Sequence, residues 1–153
     1  MASITEEDVT RSLLGVLEDA GWFIICFDFP QSGTGVALHP NNATSKTKDI
    51  WVPDIVAHKA ETVVIFENKD HYDSSDVAKV SRLRGMDNYS NDLARLLSGR
   101  TYKKIVYGIG IPNSDRNRTK TLASLDKMDF AILLNEDLSV QNLGYDLHLN
   151  EKI

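Results

Sequence analysis

The segment Pro53–Asp70, PDIVAHKAETVVIFENKD, contains two apolar runs with a short polar stretch between them. The runs at 51–59 and 61–69 are predicted to be two strands of a hairpin that turns at KAET. Residues two apart on a strand share a face, so alternate residues from Val63 to Lys69 point the same way. Both faces of VVIF are apolar, which is typical of a strand in the interior of a sheet. Such a strand needs a packed layer of the protein against each of its two faces.

The register of this hairpin places two carboxylates together. If the turn is centred between Ala60 and Glu61, residues directly opposite have numbers that sum to 121, which pairs Asp54 with Glu67. Their Cβ atoms would then lie roughly 5 Å apart. Like charges at that separation repel unless a divalent cation or a proton lies between them. Lys69, two residues further along the same face as Glu67, would offset part of the negative charge.

Two carboxylates beside a lysine suit metal-assisted hydrolysis of a phosphodiester. Hard oxygen ligands bind Mg²⁺, which keeps several waters and also binds phosphate oxygens. A bound metal ion activates water and polarises phosphorus, while a lysine can orient that water and stabilise developing negative charge. The sequence therefore indicates a candidate metal site at Asp54 and Glu67.

A further acid is expected from the first helix. Residues 4–20 form an amphipathic pattern that Thr5 can cap and that Gly21 ends. Glu6 falls within the apolar stripe of this helix, and Glu7 lies at its margin. Either glutamate could reach the metal, and either could instead be a first-turn carboxylate that interacts with the helix dipole. The choice between them is left open.

The rest of the chain alternates between strand and helix patterns. We predict a strand at 22–29, a long polar loop at 30–49, a helix at 75–98, a strand within 102–112, a basic helix at 114–128 and a strand at 130–134, with a last hairpin around Asn142–Gly144. This order predicts one α/β domain over residues 1–153, with a mixed central β-sheet flanked by helices.

The motif resembles that of the PD-(D/E)XK nuclease superfamily, which includes restriction endonucleases and Holliday-junction resolvases. The resemblance is carried by PD at 53–54, ENK at 67–69 and the glutamates of the preceding helix, and the predicted elements match the restriction-endonuclease-like αβββαβ core. It implies that Asp54 and Glu67 bind Mg²⁺, or Mn²⁺ as a substitute, and that Lys69 assists the attacking water. It also implies that the backbone carbonyl of Asn68 is a metal ligand and that Glu6 or Glu7 completes the site.

The resemblance implies a metal-dependent DNA endonuclease. Because the core uses most of the chain, cutting both strands would require a homodimer or a partner subunit. The first alternative is a catalytically inactive nuclease-fold module that binds nucleic acid or a protein partner. The second is an unrelated α/β protein in which ENK lies by chance on an edge strand, with Asp54 and Glu67 far apart.

Composition and charge limit the remaining possibilities. The net charge is −5, but residues 100–127 carry seven basic and two acidic side chains, so this segment and the basic residues of 79–84 are candidates for contact with a DNA backbone. The lone Cys26 cannot form an internal disulfide. The acidic start lacks the pattern of a signal peptide, and no apolar run approaches the length of a membrane span. We therefore expect a cytoplasmic protein without membrane segments.

Overall fold

A computed structural model describes residues 4–29, 32–41, 50–85 and 88–150. These form four α-helices, one short 3₁₀ helix and six β-strands. In chain order they are α1 (Glu6–Asp19), β1 (Phe23–Phe27), β2 (Ile55–Lys59), β3 (Thr62–Asn68), α2 (Ser74–Gly85), α3 (Ser90–Leu96), β4 (Lys104–Pro112), α4 (Asp115–Ala123), the 3₁₀ helix (Leu125–Lys127), β5 (Phe130–Leu134) and β6 (Val140–Gly144).

The six strands form one mixed sheet in the order β1-β2-β3-β4-β5-β6. Strands β1, β2 and β3 are antiparallel neighbours, β3, β4 and β5 run parallel, and β6 returns antiparallel to β5. Helices α2 and α3 connect β3 to β4, and α4 with the 3₁₀ helix connects β4 to β5, as parallel neighbours require. The predicted α/β class and the mixed sheet flanked by helices are confirmed.

Strand β3 is buried on both faces, as its apolar run predicts. Val64 and Phe66 pack in the same core cluster as Leu13 and Leu17 of α1. Val63 and Ile65 pack in the opposite cluster, which includes Leu93 and Leu97 at α3. The alternation of faces is therefore confirmed, and it leaves the carboxyl end of β3 between two helical layers.

The predicted single helix over 75–98 is wrong, because the structure has two helices in that range. Helix α2 ends at Gly85, a residue with low helix propensity, and α3 begins at Ser90. The Asn41 backbone N–H donates to the Asn88 carbonyl oxygen at 2.6 Å, and the Asn91 N–H donates to Asn41 Oδ1 at 2.9 Å. The preceding loop thus binds backbone groups at the start of α3 that a continuous helix would pair internally.

The described part of the long polar loop packs against the sheet side of the molecule. Leu38 forms an isolated antiparallel bridge with Trp51, and both side chains are buried. Residues 42–49, which include Lys46 and Lys48, lie outside the described ranges. The last hairpin joins β5 to β6 and turns at 135–139, so Asn142–Gly144 form the end of β6 and not the turn.

Two glycines in β4 explain the GIG sequence at 108–110 as a packing feature. A Cβ atom at Gly108 would collide with the backbone oxygen and ring of Phe130, and one at Gly110 would lie 2.5 Å from Asn68 Oδ1 and from Leu13 Cδ1. Only glycine therefore allows β4 to approach β5 and the α1 layer so closely. Within the described ranges, no helix is long and apolar enough to cross a membrane.

Candidate active site

Asp54 and Glu67 are neighbours, as the predicted register requires. Strands β2 and β3 pair Ile55 with Phe66, and every pair along them has numbers that sum to 121. Asp54 lies one residue before β2, where its backbone N–H donates to the Phe66 carbonyl at 3.2 Å. One of its carboxylate oxygens, Oδ2, accepts from the Asn68 backbone N–H at 2.7 Å. Because β3 is an interior strand, this arrangement is not the one expected of an accidental motif on an edge strand.

The pKa of the Asp54 carboxyl group is strongly perturbed by its surroundings. Glu67 is buried, with 8% of its surface exposed. Burial raises the pKa of Asp54 to about 9, and the negative charge of Glu67 and a hydrogen bond between the two side chains act in the same direction. The Asn68 N–H opposes the rise because it stabilises the charged form. At neutral pH and without a cation, the pair therefore holds a proton.

Glu67 is fixed by two donors that sequence reasoning did not connect with the site. Trp51 Nε1 donates to Glu67 Oε1 at 2.7 Å, and Lys79 Nζ lies 2.8 Å from the same oxygen. Trp51 is a core residue, with 2% of its surface exposed, and Lys79 belongs to the basic 79–84 segment that we considered for DNA contact. Both residues thus serve a buried carboxylate across separate elements, a relation that spacing along the chain does not reveal.

Lys69 makes its ion pairs with helix α2. Its Nζ lies 3.7 Å from Asp73 Oδ2 and 3.7 Å from Asp76 Oδ2, and its pKa is raised chiefly by the charge of Asp76. The expectation that Lys69 offsets the Asp54–Glu67 charge therefore needs correction, because Lys79 is the lysine that pairs directly with Glu67. The sequence could have indicated that Asp76 faces inward. It lies four residues before Val80 and seven before Leu83, so the three side chains share the inner side of α2.

Glu6, and not Glu7, interacts electrostatically with the other acidic residues of the site. Burial raises the pKa of Glu6, the charges of Asp76, Asp70 and Glu67 act in the same direction, and the Lys69 charge opposes them. Glu7 instead accepts a hydrogen bond from Arg11 Nε at 2.9 Å on the outer surface of α1. Of the two candidate first-helix acids, Glu6 is thus the one close to the other carboxylates.

Asn68 links the site to the α1 layer. Its Nδ2 donates to Thr10 Oγ1 at 3.0 Å, and its buried Oδ1 has no hydrogen-bond partner among the described residues. Its backbone N–H holds Asp54, as noted above. The role of its backbone carbonyl as a metal ligand stays a prediction.

The donor set fits Mg²⁺ through Asp54 and Glu67. Among the residues that the structure describes, no three or more His, Cys, Asp or Glu side chains are arranged to hold a metal ion. Mg²⁺ commonly uses one or two carboxylates and keeps several waters, so two neighbouring carboxylates, one buried and one half-buried, are suitable ligands. Asp76 Oδ2 is also buried without a hydrogen-bond partner in the described part of the chain, and its charge is paired with Lys69 Nζ at 3.7 Å.

The basic segment 100–127 has residues at both ends of β4. Arg100 lies over the Phe23 ring at 4.3 Å and Lys104 over the Tyr145 ring at 5.0 Å. Residues 100–104 therefore lie at the amino end of β4, away from the site. Helix α4 follows the carboxyl end of β4 and is linked to the segment after β3, because the Tyr72 N–H donates to Asn117 Oδ1 at 3.0 Å. Only the α4 portion of the basic segment thus lies on the side of the carboxylates.

Comparison of the chain with protein-family models, with curated proteins and with solved structures gave no match. Function is therefore inferred from the residues of the site and their geometry.

Proposed function

We propose that the protein is a Mg²⁺-dependent DNA endonuclease of the PD-(D/E)XK type, with Asp54, Glu67 and Lys69 as its central residues. The observation that carries the proposal is the pair of neighbouring carboxylates, buried Glu67 and half-buried Asp54, at the open end of an interior strand. Burying two like charges is costly unless they have something to bind. A site for a hard divalent cation accounts for that cost.

Each residue has a distinct role in this proposal. Asp54 and Glu67 hold Mg²⁺, or Mn²⁺ in its place, and Glu6 adds negative charge at the margin of the site. The bound ion supplies Lewis acidity and lowers the pKa of a coordinated water. Lys69, which Asp73 and Asp76 keep protonated, orients the attacking water and stabilises the charge that develops on the phosphate oxygens.

The substrate approaches from the side where the carboxyl ends of β3 and β4 meet. Helix α4 supplies Arg116, Arg118 and Lys120 near this side, and the loop at 36–49 adds Lys46 and Lys48 outside the described ranges. Positive side chains here would contact phosphates without reading the sequence. Because the described part of the chain carries one such site, cleavage of both strands of a duplex requires two copies or a partner subunit.

The test is cleavage of plasmid and branched DNA with Mg²⁺, with Mn²⁺ and with EDTA. Wild type is compared with Lys69→Ala and Asp54→Asn, and with Lys103→Ala as a control. Lys103 pairs with Glu61 at 3.3 Å at the far end of the sheet from the carboxylates. We expect metal-dependent cutting that is lost in both site variants and retained in the control. The preferred substrate would separate a restriction role from a resolvase role.

One observation favours the second candidate, a catalytically inactive module that binds nucleic acid or a protein. The charges of the site are neutralised internally, since Lys79 pairs with Glu67 and Lys69 pairs with Asp73 and Asp76. Folded wild-type protein that cuts none of these substrates in either metal, yet still binds DNA in EDTA, would favour this candidate over the nuclease.

A further inference from the structure

A single carboxylate oxygen, Glu67 Oε1, receives two donors from different parts of the fold. Trp51 Nε1 approaches at 2.7 Å and Lys79 Nζ at 2.8 Å. The Glu67 side chain is 9% exposed, whereas the Lys79 side chain is 38% exposed. A buried carboxylate needs a paired charge or hydrogen bonds, and here the paired charge comes from a flexible side chain that reaches in from the surface.

We propose that Lys79 is an internal counter-ion that occupies the Glu67 carboxylate and that a divalent cation must displace. This inference depends on the proposed function, since it names the residue that regulates metal entry at the same site. An ammonium group and a divalent cation compete for the same oxygen, because both are attracted by its negative charge. Lys79 is thus a positioning residue that holds Glu67 in place until the ion arrives.

The neighbouring groups explain why Lys79, and no other group in contact with this oxygen, would yield. The Trp51 indole is 2% exposed and packed in the core, so it cannot withdraw without disrupting the fold. Lys79 can move its ammonium group into water, because its side chain is long and more than one third exposed. Lys69 does not compete for Glu67 in this arrangement, because its ammonium group lies between Asp73 and Asp76.

Replacing Lys79 should therefore change metal affinity in a direction that distinguishes a counter-ion from a residue that only supports the fold. Removing a residue that merely supports the fold leaves metal affinity unchanged or lowers it. Removing a competing counter-ion raises metal affinity, because the ion no longer has to displace it and meets a more negative site. The lysine-to-arginine change keeps the charge and the ability to pair with a carboxylate, so it should keep the competition.

The experiment is a titration with MgCl₂ alone, without DNA, at constant ionic strength, followed by tryptophan fluorescence. Trp51 reports on Glu67, because its indole nitrogen is bonded to that carboxylate, whereas Trp22 lies on the α1 side and donates to the Leu147 carbonyl at 3.2 Å. The variants are Lys79→Met and Lys79→Arg. Lys103→Met is the control, since it removes the same charge at the other end of the sheet.

We expect Lys79→Met to bind Mg²⁺ about tenfold more tightly than wild type, equivalent to ~1.4 kcal/mol, with Lys79→Arg and Lys103→Met close to wild type. If Lys79→Met does not fold, as judged by circular dichroism, Lys79→Gln serves the same comparison. The inference is overturned if the Lys79 variant binds Mg²⁺ no more tightly than the Lys103 control. A folded Lys79 variant that gives no response to Mg²⁺ overturns it as well.

Cleavage assays separate this result from the proposed function. If wild type cuts DNA with Mg²⁺ and Lys79→Met needs the same Mg²⁺ concentration, the proposed nuclease function is retained and the counter-ion role of Lys79 is rejected. Tighter Mg²⁺ binding by Lys79→Met without cutting by any variant would retain the counter-ion and reject the nuclease.

Discussion

Replacing Asp54 by asparagine should make the metal-free protein more stable at neutral pH while removing its Mg²⁺ site. The pKa of Asp54 is raised in the folded state by burial and by Glu67. The folded protein therefore binds a proton more tightly than the unfolded chain, and its stability falls as the pH rises above the unfolded pKa. Asparagine is uncharged in both states, so it removes this loss of stability.

The geometry lets asparagine take over both hydrogen bonds of a protonated Asp54. Its amide oxygen can accept from the Asn68 N–H, which lies 2.7 Å from Oδ2 in the wild type, and its NH₂ group can donate to Glu67. The change removes the titratable group with little loss of packing, because the two side chains have nearly the same size.

The magnitude follows from the pKa difference. The ordinary pKa of the Asp54 carboxyl is 3.8, and each pH unit between the unfolded and folded values costs about 1.4 kcal/mol. At pH 7 the upper limit is thus ~4 kcal/mol. We expect a gain of about 2 kcal/mol, because part of the repulsion relaxes when the half-buried site admits water.

The assay is urea denaturation in EDTA at pH 5, 6, 7 and 8, followed by circular dichroism. Wild type should lose stability across this range, Asp54→Asn should show a flatter profile, and the difference between them should grow with pH. The exposed Glu136, on the β5–β6 turn, provides the control variant Glu136→Gln. Equal slopes for wild type and Asp54→Asn, or a less stable Asp54→Asn at pH 7, would refute the reasoning.

Three further outcomes are expected. Trp51→Phe should lower the free energy of unfolding by about 2 kcal/mol in urea denaturation, because buried Glu67 loses a hydrogen-bond donor; an unchanged midpoint would contradict this. Gly110→Ala should lower the free energy of unfolding by about 2 kcal/mol, because its Cβ would lie 2.5 Å from Asn68 Oδ1. Gly15→Ala, whose Cβ meets nothing within 4 Å on helix α1, should raise it by up to about 1 kcal/mol. The thermal unfolding midpoints of the two variants should therefore shift in opposite directions. Mg²⁺ binding near pH 7 should release about one proton from Asp54, and calorimetry in buffers of different ionisation enthalpy should detect it. A heat that does not depend on the buffer would argue against a protonated Asp54.

Several features of the fold could be predicted because they depend on local patterns. The alternation of VVIF places apolar side chains on both faces of β3, and a strand of that kind belongs inside a sheet. The KAET turn and the two runs beside it determine the 121 register, since a slip of one residue would turn every buried side chain toward the other face. The break between α2 and α3 had a local signal in Gly85, but the hydrogen bonds at the start of α3 come from Asn41, a residue that is distant in sequence.

The identity of the carboxylates followed from the sequence, but the identity of their partners did not. Asp54 and Glu67 were paired by register alone, and both glutamates of α1 were plausible third acids. Only the packing of α1 against the sheet brings Glu6 into the field of the other acids and leaves Glu7 with Arg11. The first turn of a helix carries both residues with similar local preference, so the choice depends on the angle at which the helix lies.

The sequence by itself therefore determined the pairing of β2 with β3, the interior position of β3 and the two carboxylates that meet at its end, because these depend on periodicity over a few residues. The tertiary structure alone decided which lysine meets which acid. Lys69 follows Glu67 in the motif, yet it pairs with Asp73 and Asp76, and Lys79 from the next helix reaches Glu67. Long charged side chains respond to the field of all nearby groups, and that field exists only once α1, α2 and the sheet are packed together.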